Sequence, residues 1–280
     1  MSDRNSAILV DDLRQHDRDR YLLTLFAPAS ARPALWAILA LNLELARIPE
    51  SVSQLVLGQM RLAWWRDAVD KALSSGETGG NPILAGLAAA NVAGRLERES
   101  VIHLIDGSER DLLRAADASL AEIELDTGII GAALTRLRLK ALGFEPKEFA
   151  GAGQHFGSAS GLSRLVCSIP PKAARGQLVL PADLAEIAEI GPGPVLTGRA
   201  DPALRQAVSV IAERIDYYLG LGRTEDTPRR AFPALGDGIV IDRYLHRLKA
   251  AGFDPFDLRL NLPDGLSAWS LSWAWLRGRY

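Results

Sequence analysis

The stretch Ala31-Arg-Pro-Ala-Leu-Trp-Ala-Ile-Leu-Ala-Leu-Asn-Leu-Glu-Leu-Ala-Arg-Ile48 decides how this chain folds. Leu35, Ile38, Leu39, Leu41, Leu43, Leu45 and Ile48 fall on nearly every side of a 3.6-residue period, the pattern of a helix buried all round. Pro33 stands near its start, where a missing N–H costs little, and Pro49 is expected to close it. A helix with no wet face must be surrounded by other elements, and the neighbouring sequence supplies more helices. From Leu55 to Leu73 the pattern is amphipathic, with Leu57, Arg61, Trp64, Trp65 and Ala68 at helical spacing. Further helices are predicted over 83–92, 95–106, 108–125, 127–142, 146–168, 181–189, 201–220 and 240–251. The best strand candidate is Gly176-Gln-Leu-Val-Leu-Pro181, and Pro181 stops it. The prediction is an all-α chain of one domain, 1–280, with a flexible start over 1–17 and a tryptophan-rich amphipathic segment over 265–280.

Of the 280 residues, 48% are hydrophobic and 24% charged, ordinary values for a packed core. A formal charge of −2 offers no overall basic field for nucleic acid. The single cysteine, Cys167, can form neither an internal disulfide nor a thiolate metal site. Acidic Asp11, Asp12, Asp17 and Asp19 near the start fit neither a signal peptide nor a transit peptide, and no apolar run reaches the roughly 20 residues that span a bilayer. The expectation is a cytoplasmic protein, with membrane association left open.

Several segments, in order, resemble the squalene/phytoene synthase family, the head-to-head prenyl synthases. Asp19-Arg-Tyr-Leu-Leu-Thr-Leu-Phe-Ala-Pro28, with Tyr21, is similar to the family's leading helix, and Ala37–Ile48 to its first core helix. Leu62-Ala-Trp-Trp-Arg-Asp67, Leu104-Ile-Asp-Gly107 with Asp111-Leu112, and Thr127-Gly-Ile-Ile-Gly131 resemble later family motifs. Phe156-Gly-Ser-Ala159 and Arg175-Gly-Gln-Leu-Val-Leu-Pro181 bracket the place of the second acidic motif. The resemblance implies an isoprenoid-synthase-type bundle of antiparallel helices around a central cavity.

Ionising an allylic diphosphate requires that a multiply charged leaving group be stabilised, which hard Mg²⁺ ions held by carboxylates achieve. The family supplies those carboxylates from two motifs, DDxxD and DxxED. Over the first, this chain reads Ala46-Arg47-Ile48-Pro49-Glu50, with one acid, Glu50; over the second, Ser168-Ile-Pro-Pro171-Lys172, with none. Arg47 and Lys172 would repel a dication. The expectation is no catalytic residue, no metal ligand and no cofactor, Mg²⁺ entering only if other acids substitute. Glu44, Glu122 and Asp126 are the substitutes to weigh, against the alternative that Glu44 pairs with Arg47 or Arg164 within the bundle.

Other candidates for a cavity or substrate site are Tyr21, Arg61, Gly128, His155, Gly157 and Gly161. Gly153, Gly157 and Gly161 form a strip that would admit a polyprenyl tail or, alternatively, close helix packing. His16, His103, His155 and His246 show no zinc-type spacing. In the last segment, Leu266, Trp269, Trp273, Leu276 and Tyr280 make one helical stripe beside Arg277 and Arg279. That stripe suits peripheral membrane contact, a partner anchor, or packing back on the bundle. One branch of the family also has degraded Asp motifs: the synthase-like assembly factors of respiratory complex I. Resemblance to that branch implies a non-catalytic helper whose partner is a protein, such as respiratory assembly intermediates, or a polyprenyl-type lipid. The alternative is a prenyltransferase with non-standard metal ligands.

Overall fold

The computed structural model describes residues 3–52, 54–114, 117–145, 148–177, 180–187, 198–224, 227–260 and 267–278. Among them there is no strand, and the architecture is an all-α bundle. The helices are α1 (Asp3–His16), α2 (Arg18–Thr24), α3 (Arg32–Ser51), α4 (Leu55–Ser74), α5 (Pro82–Val92), α6 (Arg98–Leu113), α7 (Leu120–Ala141) and α8 (Ala150–Ala173). They continue as α9 (Ala182–Ile187), α10 (Pro202–Gly222), α11 (Phe232–Leu235), α12 (Asp237–Ala250) and α13 (Ser267–Arg277).

The buried character of Ala31–Ile48 is met in full: Leu35, Ala37, Ile38, Leu39, Leu41 and Leu45 are all but inaccessible. α3 packs against α1, α5 and α7. Contrary to expectation, Pro49 does not end it, and the helix runs on to Ser51. A proline inside a helix deprives the carbonyl four residues back of its donor, here that of Leu45. On α4 the buried stripe is Gly58, Leu62, Trp65, Val69 and Ala72, while Leu57, Arg61 and Trp64 face outward. The start of the chain, expected to be flexible, is helical from Asp3, and Leu9 and Leu13 are buried against the same core as α3.

The three helices predicted between 95 and 142 are two. Gly107 does not break α6; it lets Ile130 of α7 come close, a Cβ there meeting the Ile130 side chain at 2.7 Å. The break falls later, where Ser119 accepts from the Glu122 N–H and the Glu122 carboxylate accepts from the Ser119 N–H, a reciprocal cap that starts α7. α5 and α10 are likewise capped, by Asn81 and Asp201. The strand candidate at 176–181 has two of its residues outside those described. Its first residue, Gly176, is a turn at φ +75° just past α8, and α8 itself runs through Pro170 and Pro171 to Ala173.

α7 and α8 are the most extensively packed pair and form the axis of the molecule. One apolar core lies on the side of α1 and α3–α6, the other among α8, α10 and α12, and α7 contributes to both. The helices meet without side chains at one point: a Cβ on Gly157 would lie 2.4 Å from the Gly131 Cα. Above and below, Gly153 faces Thr135 and Gly161 faces Thr127. The glycine strip is therefore occupied by helix packing. α13 packs on α2 through Leu271, with Leu23 and Phe232, and through Trp275 against Phe26.

Candidate functional site

A cavity of about 280 Å³ opens between α3, the α6–α7 junction, α7 and the C-terminal half of α8. Its wall includes Ala46 and Pro49 from the first motif position and Ser168, Pro171 and Lys172 from the second. The two stretches that the resemblance aligns with acidic motifs thus meet across one space, but the groups they present are a methyl, two pyrrolidines, a hydroxyl and an ammonium. The Ser168 hydroxyl donates to the Leu165 carbonyl. The side chain of Glu50 lies outside the described residues.

The charged groups on the wall are Asp111, Arg114, Arg164 and Lys172. Arg114 takes the one acid among these described residues, donating to Asp111, and reaches Asp126 at 3.5 Å. Arg164 and Lys172 have no carboxylate within 4 Å among the described residues. Arg164 sits deep in the bundle yet is accessible, because the surface it exposes is cavity wall. Burial, with Arg20 and Arg114 nearby, outweighs the pull of Asp111 and moves its pKa down from the usual guanidinium value. Cys167 lies on the same wall, and burial pushes its thiol up, away from the thiolate.

Beyond Arg164 a smaller space of about 30 Å³ continues inward, shared with Thr127 and Gly161 and closed by Arg20, Asn42, Ser160 and Asp237. This inner end is a charge network that the sequence reading did not find. Arg138, wholly buried on α7, donates to both oxygens of Asp237 at 2.8 and 3.0 Å and to the Pro233 carbonyl at 2.6 Å. Arg20 donates to the same carboxylate at 3.0 Å, to Asp17 and to the Ser160 hydroxyl. Burial would raise the Asp237 pKa, but Arg138 and Arg20 overcome it and hold the carboxyl at about 2. In the first turns of α7, far along the helix from Arg138, Glu124 accepts two bonds from Arg214 of α10 and one from the Tyr218 hydroxyl.

Most of the other candidates lie elsewhere. Arg47 is bound by Asp12 and Glu44 and lines a separate open groove with Glu44, Arg61 and Trp64, so it is not the cation that faces the cavity. Arg164 takes that place, and it does not pair with Glu44. Glu122 is an exposed helix cap, and Asp126 is turned toward Arg114 and Arg110. Glu44, Glu122 and Asp126 therefore do not converge. His155 stacks on Tyr218 at 6.1 Å and Tyr21 packs against the core beneath Arg14, neither on the cavity wall. Gly128 meets Ser158 across the α7–α8 interface. Gly157 lines the inner space and Gly161 both spaces, at their narrow backbone edge. Trp269, Trp273 and Leu276 are exposed on α13.

These residues do not fit the Mg²⁺ cluster that the resemblance implies. The described residues hold no group of three Asp, Glu, His or Cys side chains able to converge on one ion, and Arg164 and Lys172, cations with no carboxylate partner among the described residues, occupy the wall where ligands would stand.

Comparison with known proteins bears on the same surfaces. A chain from Bos taurus described as NADH dehydrogenase (ubiquinone) complex I, assembly factor 6 is 28% identical over 270 residues, covering 96% of this chain and 81% of that one. A presqualene diphosphate synthase from Sinorhizobium fredii is 27% identical over 157 residues, 55% of this chain and 54% of its own length. The solved structure of a dehydrosqualene synthase superposes with a TM-score of 0.82 at 12% identity, covering 98% of this chain and 96% of that chain, a likeness of fold alone. The sequence model described as squalene/phytoene synthase matches residues 13–272, all the helices that build the cavity included. With its helices, its cavity and the order of its motifs in agreement, this chain belongs to the squalene/phytoene synthase family.

Proposed function

We propose that this chain is a non-catalytic member of its family that serves the assembly of an NADH-oxidising respiratory enzyme of the complex I type. One observation carries the reading: Arg164 and Lys172 face the cavity in which diphosphate ionisation would need carboxylates. A developing diphosphate charge is stabilised in this chemistry by dications, and guanidinium and ammonium groups compete with those ions for the same space. The name borne by the Bos taurus relative, similar over nearly the whole chain, supports assembly as the role. In this reading the partner is a protein assembly intermediate. Peripheral membrane contact through Trp269, Trp273 and Leu276 belongs to it too, since their exposed indoles and alkyl group suit an interface.

Similarity to a presqualene diphosphate synthase over about half the chain favours a second reading, prenyl transfer with unorthodox ligands. The acids it would recruit, Glu44, Glu122 and Asp126, are each engaged at separate places. The assembly reading is tested by deleting the gene and measuring NADH-linked quinone reduction in membranes together with abundance of the complex. Both should fall and be restored by the wild-type chain. Unchanged activity and abundance would remove the reading.

A further inference from the structure

We infer that the outer face of α4 is the contact of a two-fold symmetric dimer of this chain, with Trp64 at the axis and Arg61 of each copy beside Asp67 of the other. This surface plays no part in the assembly reading and stands or falls apart from it.

An exposed apolar side chain standing alone needs no explanation, but several on one helix face mark a contact surface. On α4, Val56, Met60 and Trp64 follow one another at i, i+4 and i+8 and leave 52%, 64% and 52% of their surface open. Leu57, 43% exposed, flanks them. At about 100° per residue the four share a sector of about 100°, on the side opposite the buried stripe of Gly58, Leu62 and Val69. Trp64 is steadied by the buried Trp65, the two rings meeting edge to face at 5.0 Å, so it has little freedom to lose on contact. Tryptophan, methionine and arginine together are the composition of a protein interface.

The charges around the stripe decide what covers it. A second exposed apolar set, Trp269, Trp273 and Leu276 on α13, carries Arg277 over the Trp273 ring, and a cation there suits a lipid surface. The α4 stripe has both signs beside it: Arg61 on one flank and Asp67 on the other, with Lys71 bonded to Asp67 at 2.8 Å. A mixed rim fits another protein surface better than an anionic membrane. Its placement is self-complementary. Arg61 stands three residues before Trp64 and Asp67 three after, which at about 100° per residue puts them about 60° to either side of it. A two-fold axis at Trp64 sets the two helices antiparallel and brings Arg61 of each copy level with Asp67 of the other, so one ion pair forms twice. The same rotation puts Met60 level with Ala68, and Leu57 level with the alkyl stem of Lys71. A groove of about 510 Å³ beside Trp64, with Ile48 and Arg61 on its wall, leaves room for a large side chain from the other copy. One helix face is at the small end of specific interfaces, so the expected association is micromolar.

Sedimentation equilibrium of the full chain, from about 1 to about 200 µM, tests this. The mass should rise reversibly from one chain of 30.3 kDa toward two. Trp64→Ala should weaken association by about tenfold or more, since the change enters the contact twice. Arg61→Asp and Asp67→Arg each set like charges across the contact, so each alone should stay monomeric over the same range. Mixed in equal amounts, the two variants should associate again, because each supplies the charge the other lacks, and that recovery shows both to be folded. Trp269→Ala combined with Trp273→Ala should leave the dimer as tight as in the wild type. A monomer at every concentration would overturn the inference and leave the face to a different protein. So would wild-type affinity in Trp64→Ala, no association in the mixture, or loss of the dimer on changing α13. Purified protein is used here and membranes in the deletion test, so either proposal can fail while the other stands.

Discussion

Arg138 and Arg164 lie on the two helices that form the axis of the molecule, and their surroundings are opposite. Arg138 is sealed from solvent and gripped by both oxygens of Asp237, with a carbonyl besides. Arg164, on the neighbouring helix, has no carboxylate within 4 Å among the described residues and faces a cavity. The first is a charge that holds the fold together; the second is a charge the fold tolerates. The contrast teaches that sign and burial do not by themselves separate structure from function; the presence of a partner does.

The largest effect should come from breaking the paired side. Asp237→Ala leaves Arg138 and Arg20 without their shared carboxylate and should destabilise the protein by about 3–5 kcal/mol in denaturant unfolding. A loss under 1 kcal/mol would mean the network is replaceable. The same pair sets an acid response. The Asp237 carboxyl is held at about 2 in the folded chain against an ordinary 3.8. Its contribution is therefore complete above the ordinary value and lost as pH falls from there toward about 2, roughly 2 kcal/mol in all. Asp237→Asn should flatten that limb of a stability–pH curve.

A smaller effect is expected at Glu124, where the Arg214 partner is more than a third exposed. Glu124→Gln should cost about 1 kcal/mol by thermal or denaturant unfolding, since solvent screens part of the pair. Smallest of all, Arg164→Met should change stability by less than ~0.5 kcal/mol or raise it by up to ~1 kcal/mol, because it removes a cation with no carboxylate partner among the described residues. A loss of 3 kcal/mol there would abolish the distinction between the two arginines.

The helical class was legible because Ala31–Ile48 has no polar face, and the ordered motifs carried the family resemblance. Helix ends were not, for local reasons. Gly107 looked like a break but accommodates Ile130, and Pro49 looked like a stop but is tolerated at the cavity wall. The missing carboxylates could be read directly at Ala46, Ser168, Pro171 and Lys172. The direction of Arg47 could not, because its partner Asp12 comes from α1, 35 residues away in sequence. Arg138 and Asp237 are 99 residues apart, and no spacing rule links them. Arg164 had a signal, since it stands four residues before Ser168 on the face of α8 that carries the second motif position, but its lack of a partner is visible only in three dimensions.

The central claim is that this cavity does not ionise prenyl diphosphates. Purified protein incubated with Mg²⁺ and farnesyl or geranylgeranyl diphosphate should release no more diphosphate than a blank without protein. Release at the rate of an ordinary synthase, abolished by Glu122→Ala or Asp126→Ala, would contradict it.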